Sequence, residues 1–347
     1  MYGWAEDNDK QAVMDLWAED FESYEPYFSW YFNTVYQPGL TLCDFAGPHL
    51  AAMLQISPYT LQLRGVALPV AYLVGVITGP PWRGQGRGKA LLLEAQRRLE
   101  SQGFAAALLY TDIPGFYAPL GYSHCYRQQQ LNLSDAMLTQ LAGQGSSQVS
   151  WREGDISGGI PALSAIYSNM TGRYDGYIPR SREGWAKFLG EHNCDQARLI
   201  LAAGQAYLLY TLDTEKLQVI ELGFADAPAL TEALAEAAGR AKAAGLQRLH
   251  WPAPPDAPQL LPQLPPQCWQ PKPFVMARLA DCQSVLELFS APPAVRQILA
   301  RLDIATATRL IFGVTGALEE NTGLTLAERS VLTELFPPLP LWINEYT

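Results

Sequence analysis

Charge is scarce in this sequence. Only 17% of its 347 residues are Asp, Glu, Lys or Arg, and acids outnumber bases 34 to 24, leaving a net charge of −10. A chain short of cations is a poor ligand for nucleic acid or an anionic membrane surface, because both are bound through Lys and Arg. Histidine is rarer still: His49, His124, His192 and His250 show no triad or metal spacing and are read as structural or surface residues. The five cysteines (Cys43, Cys125, Cys194, Cys268, Cys282) are widely spaced with no C-x-x-C pair. That argues against a zinc site or a disulfide framework, so no metal is expected and the thiols are read as reduced and mostly buried. Long apolar runs are missing as well. The longest, Val66 to Thr78, is too short to cross a bilayer. The first residues lack a basic and apolar leader pattern. The expectation is a cytosolic protein with no membrane or nucleic-acid partner.

What is present is apolar material, 48% of the chain, enough for two or three packed domains. Asn8 and Gln11 predict a capped helix from Asp9 to Phe21, on the spacing of Val13, Leu16, Trp17 and Phe21. Eight acids (Glu6, Asp7, Asp9, Asp15, Glu19, Asp20, Glu22, Glu25) crowd residues 1–30, and eight aromatics follow within residues 21–36. Short strands are predicted at Leu40–Phe45, His49–Ile56 and around Leu61–Leu63, then a long one at Leu68–Thr78. A helix from near Lys89 to Gly103, a strand Phe104–Tyr110, a short helix Gly115–Leu120 and a strand Tyr122–Leu131 complete a mixed α/β unit. Gly143–Gln148 reads as a linker. A second α/β pattern follows, with strands Arg198–Ala203, Gln205–Thr211 and Gln218–Phe224 and a helix Pro228–Ala243.

Nine prolines in residues 252–273 mark a further border. Beyond it come a strand Phe274–Leu279, a helix from Asp281, a helix Ala294–Leu302, a strand Thr308–Val314, and a helix to Phe336 capped by Thr325 and Glu328. The last residues, from Pro337, are apolar and stiffened by proline, whereas free tails are usually polar; a docked tail is expected.

One stretch carries chemistry. Arg83-Gly84-Gln85-Gly86-Arg87-Gly88 lies between a strand and a helix. Glycines let the backbone approach a ligand, and the first N–H groups of a helix attract pyrophosphate. A P-loop would need glycine at position 83 and Ser/Thr at position 90, where Arg83 and Ala90 stand. Glycines at every second position also miss the G-x-G-x-x-G dinucleotide spacing. The second α/β pattern has no such loop; Ala225-Asp226-Ala227 leads into Pro228, which removes an N–H. One ligand site per chain is expected.

The loop resembles the acetyl-CoA signature of the GNAT acyltransferases, Arg/Gln-x-x-Gly-x-Gly/Ala. Phe116-Tyr117-Ala118-Pro119-Leu120-Gly121-Tyr122 resembles their short-helix motif and stands at the family's distance downstream. The Asn8–Trp17 segment, the run Trp30-Tyr31-Phe32-Asn33 and the ending Phe336-Pro337-Pro338-Leu339-Pro340-Leu341 resemble the enhanced-intracellular-survival (Eis) type of acetyltransferase. That resemblance implies tandem GNAT folds, mixed sheets flanked by helices, and a reduced sterol-carrier-like α+β domain at the end. The borders would be 1–135 (catalytic), 150–255 (degenerate GNAT) and 274–347 (C-terminal). It implies acetyl-CoA as co-substrate, a small amine, cationic in some relatives, as acceptor, and a homo-oligomer, in relatives often a hexamer.

The resemblance also assigns roles. The Val76 N–H would polarise the thioester carbonyl, Thr78 would hold the pantetheine, and Gly84, Gln85, Gly86 and Gly88 would bind pyrophosphate with Arg83, Arg87 and Lys89 in support. Tyr117 would protonate the leaving thiolate, and the C-terminal carboxylate of Thr347 would deprotonate the acceptor amine. Trp30 and Tyr31 are candidates for the acceptor pocket, with Asp20, Glu22 or Glu25 attracting a cation. Two other readings stay open: an acyl-CoA-sensing or lipid-binding module without turnover, and a tandem-GNAT aminoacyltransferase.

Overall fold

The computed structural model describes residues 1–21, 23–145, 149–154, 159–319 and 322–345. The chain opens with β1 (Tyr2–Trp4), α1 (Lys10–Ala18), α2 (Tyr27–Thr34) and the antiparallel strands β2 (Thr41–Ala46), β3 (His49–Leu63) and β4 (Val66–Thr78). Next come α3 (Arg87–Ser101), β5 (Ala106–Tyr110), the one-turn α4 (Pro114–Tyr117) and β6 (Ser123–His124). The second half holds β7 (Arg127–Leu133), α5 (Asp135–Ala142), β8 (Arg152–Glu153), α6 (Ile160–Thr171), β9 (Gly176–Tyr177) and α7 (Arg182–Cys194). It continues through β10 (Arg198–Ala202), β11 (Ala206–Leu212), β12 (Leu217–Phe224), α8 (Ala227–Ala243), β13 (Leu249–Ala253), α9 (Ala257–Leu260) and β14 (Trp269–Pro273). The last elements are β15 (Val275–Leu279), α10 (Cys282–Leu288), α11 (Pro293–Leu299), α12 (Ile304–Ile311), α13 (Leu326–Leu335) and β16 (Leu341–Trp342).

These elements make an α/β fold of two mixed sheets flanked by helices. One sheet runs β1-β2-β3-β4-β5-β15-β6, with β9 added to β3 and β16 to β9; the other runs β14-β7-β13-β12-β11-β10-β8. On the first sheet α3 buries Leu91, Leu92, Ala95 and Leu99 against Leu54, Ile56, Ala71 and Leu73. On the opposite face α1 and α2 bury Val13, Leu16, Trp17, Tyr31 and Phe32 against Met53 and Ile77. Alternation of side chains along β3 and β4 serves both cores at once. A larger core spreads from the second sheet under α6, α7 and α8.

Several expectations change. The first cap is Glu6 with Asp9 rather than Asn8 with Gln11, closing a 3-10 turn that delays α1 to Lys10. The two strands expected within residues 49–63 are one, β3, which runs through Pro58. Proline is tolerated there because β3 has an open edge: β2 pairs with it only as far as Gln55, and β9 begins at Gln62. The single strand expected over Tyr122–Leu131 is β6 and β7, which belong to different sheets, so the chain crosses between sheets at Cys125 and Tyr126. The strand expected at Thr308–Val314 is instead the helix α12, capped by the Asp303 carboxylate accepting from Thr306 N–H at 2.9 Å. Residues 135–142, passed over in the sequence, form α5, and residues 146–148 of the expected linker lie outside the described set.

Sheet membership does not follow sequence borders. β15 lies between β5 and β6 in the first sheet, while β7, from the first segment, lies between β13 and β14 in the second. Among the described residues the C-terminal segment therefore adds strands to the first sheet and helices beside it, and forms no sheet of its own. The tail is docked over Leu341–Glu345: Trp342, Ile343 and Asn344 are each at most 1% exposed.

Candidate active site

β4 and β5 are parallel partners only over Val70–Tyr72 and Ala106–Leu108. Past that point they separate, and among the described residues the β5-facing edge of β4 is open from Leu73 to Thr78. A bulge sits in this stretch. Between the pairs Gln55–Val74 and Met53–Ile77, β4 spends one residue more than β3. Gly75 adopts φ +58°, and a Cβ there would stand 2.6 Å from Trp17 Cζ3. Only glycine meets both the backbone and the indole above it. Val76 and Thr78, half-buried, follow it toward the loop.

The loop is shaped by its glycines for two different reasons. Gly84 and Gly86 have φ of +73° and +75° with open space where a Cβ would be, so they serve the turn. Gly88 serves proximity: a Cβ there would lie 3.0 Å from Thr78 Oγ1 and 3.4 Å from Phe116. Ala90 N–H makes the first bond of α3, to Gly86 O, so the N–H groups of Arg87, Gly88 and Lys89 have no partner within the helix. Gln85 Nε2 closes the turn onto Pro81 O at 3.0 Å, and Arg83 Nε donates to Thr78 O at 2.9 Å. The cations are not equally free. Arg83 is paired with Asp20. Arg87 is held 2.6 Å from the buried Asp44 carboxylate, which also receives the N-terminal amine at 3.3 Å. Lys89 is exposed, with no ion-pair partner among the described residues.

Tyr117 ends α4 and packs into the same apolar cluster as Leu73, Leu109 and, at its margin, Val76. Pro114 starts the turn and Gly121, at φ +88° with Ile304 pressed against it, ends it. The ring meets Tyr122 and Phe116 edge-on, with centroids 5.9 and 5.1 Å away. Burial pushes its phenol up to about 12, so it stays protonated across the neutral range. The fold thus gathers Val76, Thr78, the glycine loop and Tyr117 around the opening between β4 and β5.

The comparisons agree with this fold. The family described as acetyltransferase (GNAT) domain matches residues 3–125. Residues 3–125 have a GNAT-like α/β fold. The whole chain has the same fold as a GCN5-related N-acetyltransferase from Anabaena variabilis, at 17% identity, TM-score 0.82 and complete coverage of both chains. It is similar to a GCN5-related N-acetyltransferase from Kribbella flavida, at 18% identity and TM-score 0.77, over 100% of this chain and 98% of that one. Eis1 from Mycobacterium abscessus matches over 100% of both chains at 13% identity and TM-score 0.69. No curated protein matches the chain in sequence.

A cavity of about 650 Å³ lies along the locally open edge of β3 in the first sheet. It fills the gap along β3 between β2 and β9, walled by Ile56–Thr60 on one side and by α7 and Glu345 on the other. Tyr31 lines it and donates to Gln55 Oε1 at 2.8 Å, stacked on Trp17 at 4.9 Å. Trp30 does not line it. Its indole packs on α7, where a Cβ on Gly190 would stand 2.9 Å from Nε1. Asp20 sits at the loop with Arg83, and Glu25 accepts from Ser29 Oγ at 2.7 Å, so neither faces the cavity. Glu22 and Thr347 lie outside the described residues.

Sequence reasoning missed the charges behind this cavity. Arg180 forks onto Glu221 at 2.6 and 2.9 Å and reaches Glu345 at 2.7 Å. Tyr207 and Asn344 donate to the remaining Glu221 positions at 2.7 and 3.1 Å. Burial raises Glu345 to about 7, with Arg180 opposing and Glu221 reinforcing the rise. Glu191, on α7, has no hydrogen-bond or ion-pair partner among the described residues. Burial, reinforced by Glu345 and Asp195, pushes it up to about 8. His192 beside it is lowered to about 4 by burial and is neutral. One signal was legible: Glu221 interrupts the apolar strand Leu217–Phe224, and a charge in such a place needs a partner.

Proposed function

We propose that the chain is an acetyl-CoA-dependent N-acetyltransferase of the Eis type, moving an acetyl group to a primary amine by direct attack in a ternary complex. The observation that carries the reading is the parting of β4 from β5 beside the free N-terminus of α3, with Tyr117 buried at the opening. The residues fit an acyl-CoA: Gly88 brings α3 close to β4, Gly84 and Gly86 open the turn, and Lys89 is available to phosphate. The Val76 N–H faces developing charge on the carbonyl oxygen. Tyr117 donates the proton that the leaving sulfur needs. Its raised pKa keeps that proton on the phenol until the sulfur becomes anionic.

In this reading the Thr347 carboxylate accepts a proton from the attacking amine. The docked tail supports it, since Glu345, two residues earlier, stands in the cavity wall. The acceptor is a small amine, attracted by the carboxylates there. The protein acts in the cytosol as a homo-oligomer, without nucleic acid or membrane. Among the described residues no helix is long and apolar enough to cross a bilayer, and no group of His, Cys, Asp and Glu is placed to hold a metal.

Calorimetry with acetyl-CoA followed by free-thiol release over an amine panel tests the reading. Binding with thiol release is expected. Binding without release over the whole panel favours an acyl-CoA sensor, and no binding favours an aminoacyltransferase. Removing Thr347, or extending the chain beyond it, should abolish turnover and spare acetyl-CoA binding; full activity in either variant removes Thr347 from the mechanism.

A further inference from the structure

Acyl transfer to an amine that arrives as an ammonium ion must strip two protons from nitrogen. One ends on the departing sulfur, through Tyr117. The other leaves for solvent and needs an acceptor of its own. We propose that Glu191 is that acceptor: it receives the ammonium group in the cavity along β3 and takes its first proton. The inference rests on the acetyltransferase reading above and assigns a further catalytic residue to it.

Three observations point to Glu191. It lines the cavity, half-buried, and has no hydrogen-bond or ion-pair partner among the described residues; Glu345 in the lining and Glu221 behind it are committed to Arg180, and Glu183, also in the lining, is exposed. The cavity offers further unmet polar groups: Gln55 Nε2 and His192 Nε2 are buried without partners. Finally, the cavity borders the strand next to the carbonyl site of that reading: Gln55 and Ile56 in its lining pair with Val74 and Leu73, just before the bulge that precedes Val76.

The surroundings set the charge. Glu183, Lys187 and His192 share α7 with Glu191, and Asp195 follows at its C-terminal end. α2 presents Tyr27 and Tyr31, both held protonated by burial, with Tyr24 donating to Asp195. Tyr59 comes from β3, Arg180 from the stretch after β9, and Glu345 from the tail. With its pKa near 8, Glu191 is a far better match for an ammonium than a carboxylate at its ordinary value.

The balance is complete. RNH3+ and the Glu191 carboxylate become RNH2 and a carboxylic acid, which returns its proton to solvent through the cavity. The neutral nitrogen then forms the C–N bond as the C–S bond breaks. The remaining surplus proton passes to the tail carboxylate and from there restores Tyr117, which has given its own proton to the thiolate, leaving amide, thiol and the enzyme as it began.

Calorimetry at pH 7 in buffers of different ionisation enthalpy reads the first step without turnover, using aliphatic primary amines from propylamine to 1,5-diaminopentane. The free protein holds Glu191 mostly protonated, so binding of an ammonium should release close to one proton. Glu191→Gln should release none and bind at least ~10-fold more weakly. Kinetics supply the second arm. Against propylamine, Glu191→Gln should cut kcat/KM by about 100-fold or more. Against 2,2,2-trifluoroethylamine, already neutral at pH 7, the loss should be less than about 5-fold, and Glu191→Asp should recover part of the propylamine rate. Equal losses on both amines, unchanged proton release, or no amine binding by the wild type would each overturn the proposal. Failure of acetyl-CoA binding would instead overturn the acetyltransferase reading, which the calorimetric arm does not need.

Discussion

A phenol at position 117 that burial holds near 12 gives up no proton to water below the strongly alkaline range. Activity should therefore show no alkaline limb from Tyr117 between pH 7 and about 10, read from the pH profile of kcat. Tyr117→Phe should lower kcat by about 100-fold to 10,000-fold while acetyl-CoA affinity, measured by calorimetry, stays put. A near wild-type kcat would assign the acid to water or another group. Glu191 behaves in the opposite sense. Its folded pKa of about 8 lies above the ordinary 4.5, so its contribution to stability is full below 4.5 and is lost as pH rises through 8. Glu191→Gln should raise Tm at pH 9 and leave it unchanged near pH 4. Glycines differ among themselves too. Gly75→Ala combines a left-handed φ with a clash on Trp17 and should cost about 2–4 kcal/mol in urea denaturation. Gly84→Ala, strained but uncrowded, should cost about 1 kcal/mol.

At the scale of elements, Arg180 is the pin that joins β12 to the tail. Arg180→Met strands Glu221 and Glu345 in the interior and should cost about 3–5 kcal/mol, with earlier proteolysis of the C-terminal residues as a second readout. The elements that were legible in the sequence are those whose signals are local. The Thr325 and Glu328 capping box, the Asp281 start of α10, and the Arg83–Gly88 loop all follow from neighbouring residues, and the structure shows each in place. α12 was misread because its run of Thr, Leu, Ile and Phe has strand-like composition, and what decides it is the Asp303 cap together with burial on β15, where Leu279 N–H donates to Thr308 Oγ1 at 3.2 Å. The cavity was illegible for a related reason. Gln55, Glu191 and Glu345 are far apart in sequence and meet only because β3 has an open edge that α7 and the tail cover.

For the whole molecule, the exchange of strands makes the two halves interdependent. β6 pairs only with β15 among the described residues, and β5 has β15 as its neighbour on the side away from β4. The segment 1–145 expressed alone should therefore fail to give a folded acetyl-CoA-binding unit, judged by circular dichroism and calorimetry, even though it contains the loop and Tyr117. Supplying residues 146–347 as a separate chain should restore binding if the exchange is the cause.

The same exchange sets an order of events at the ribosome. At about 5–20 residues per second, some ten to thirty seconds pass between the emergence of β5 and that of the strand that must lie beside it. During that interval β5 offers an unpaired edge made of Ala106-Ala107-Leu108-Leu109-Tyr110, apolar and uncharged. The nascent chain therefore carries an aggregation hazard that the finished protein does not. The rate of translation through residues 111–279, and access to a chaperone while they are made, become part of what determines its yield.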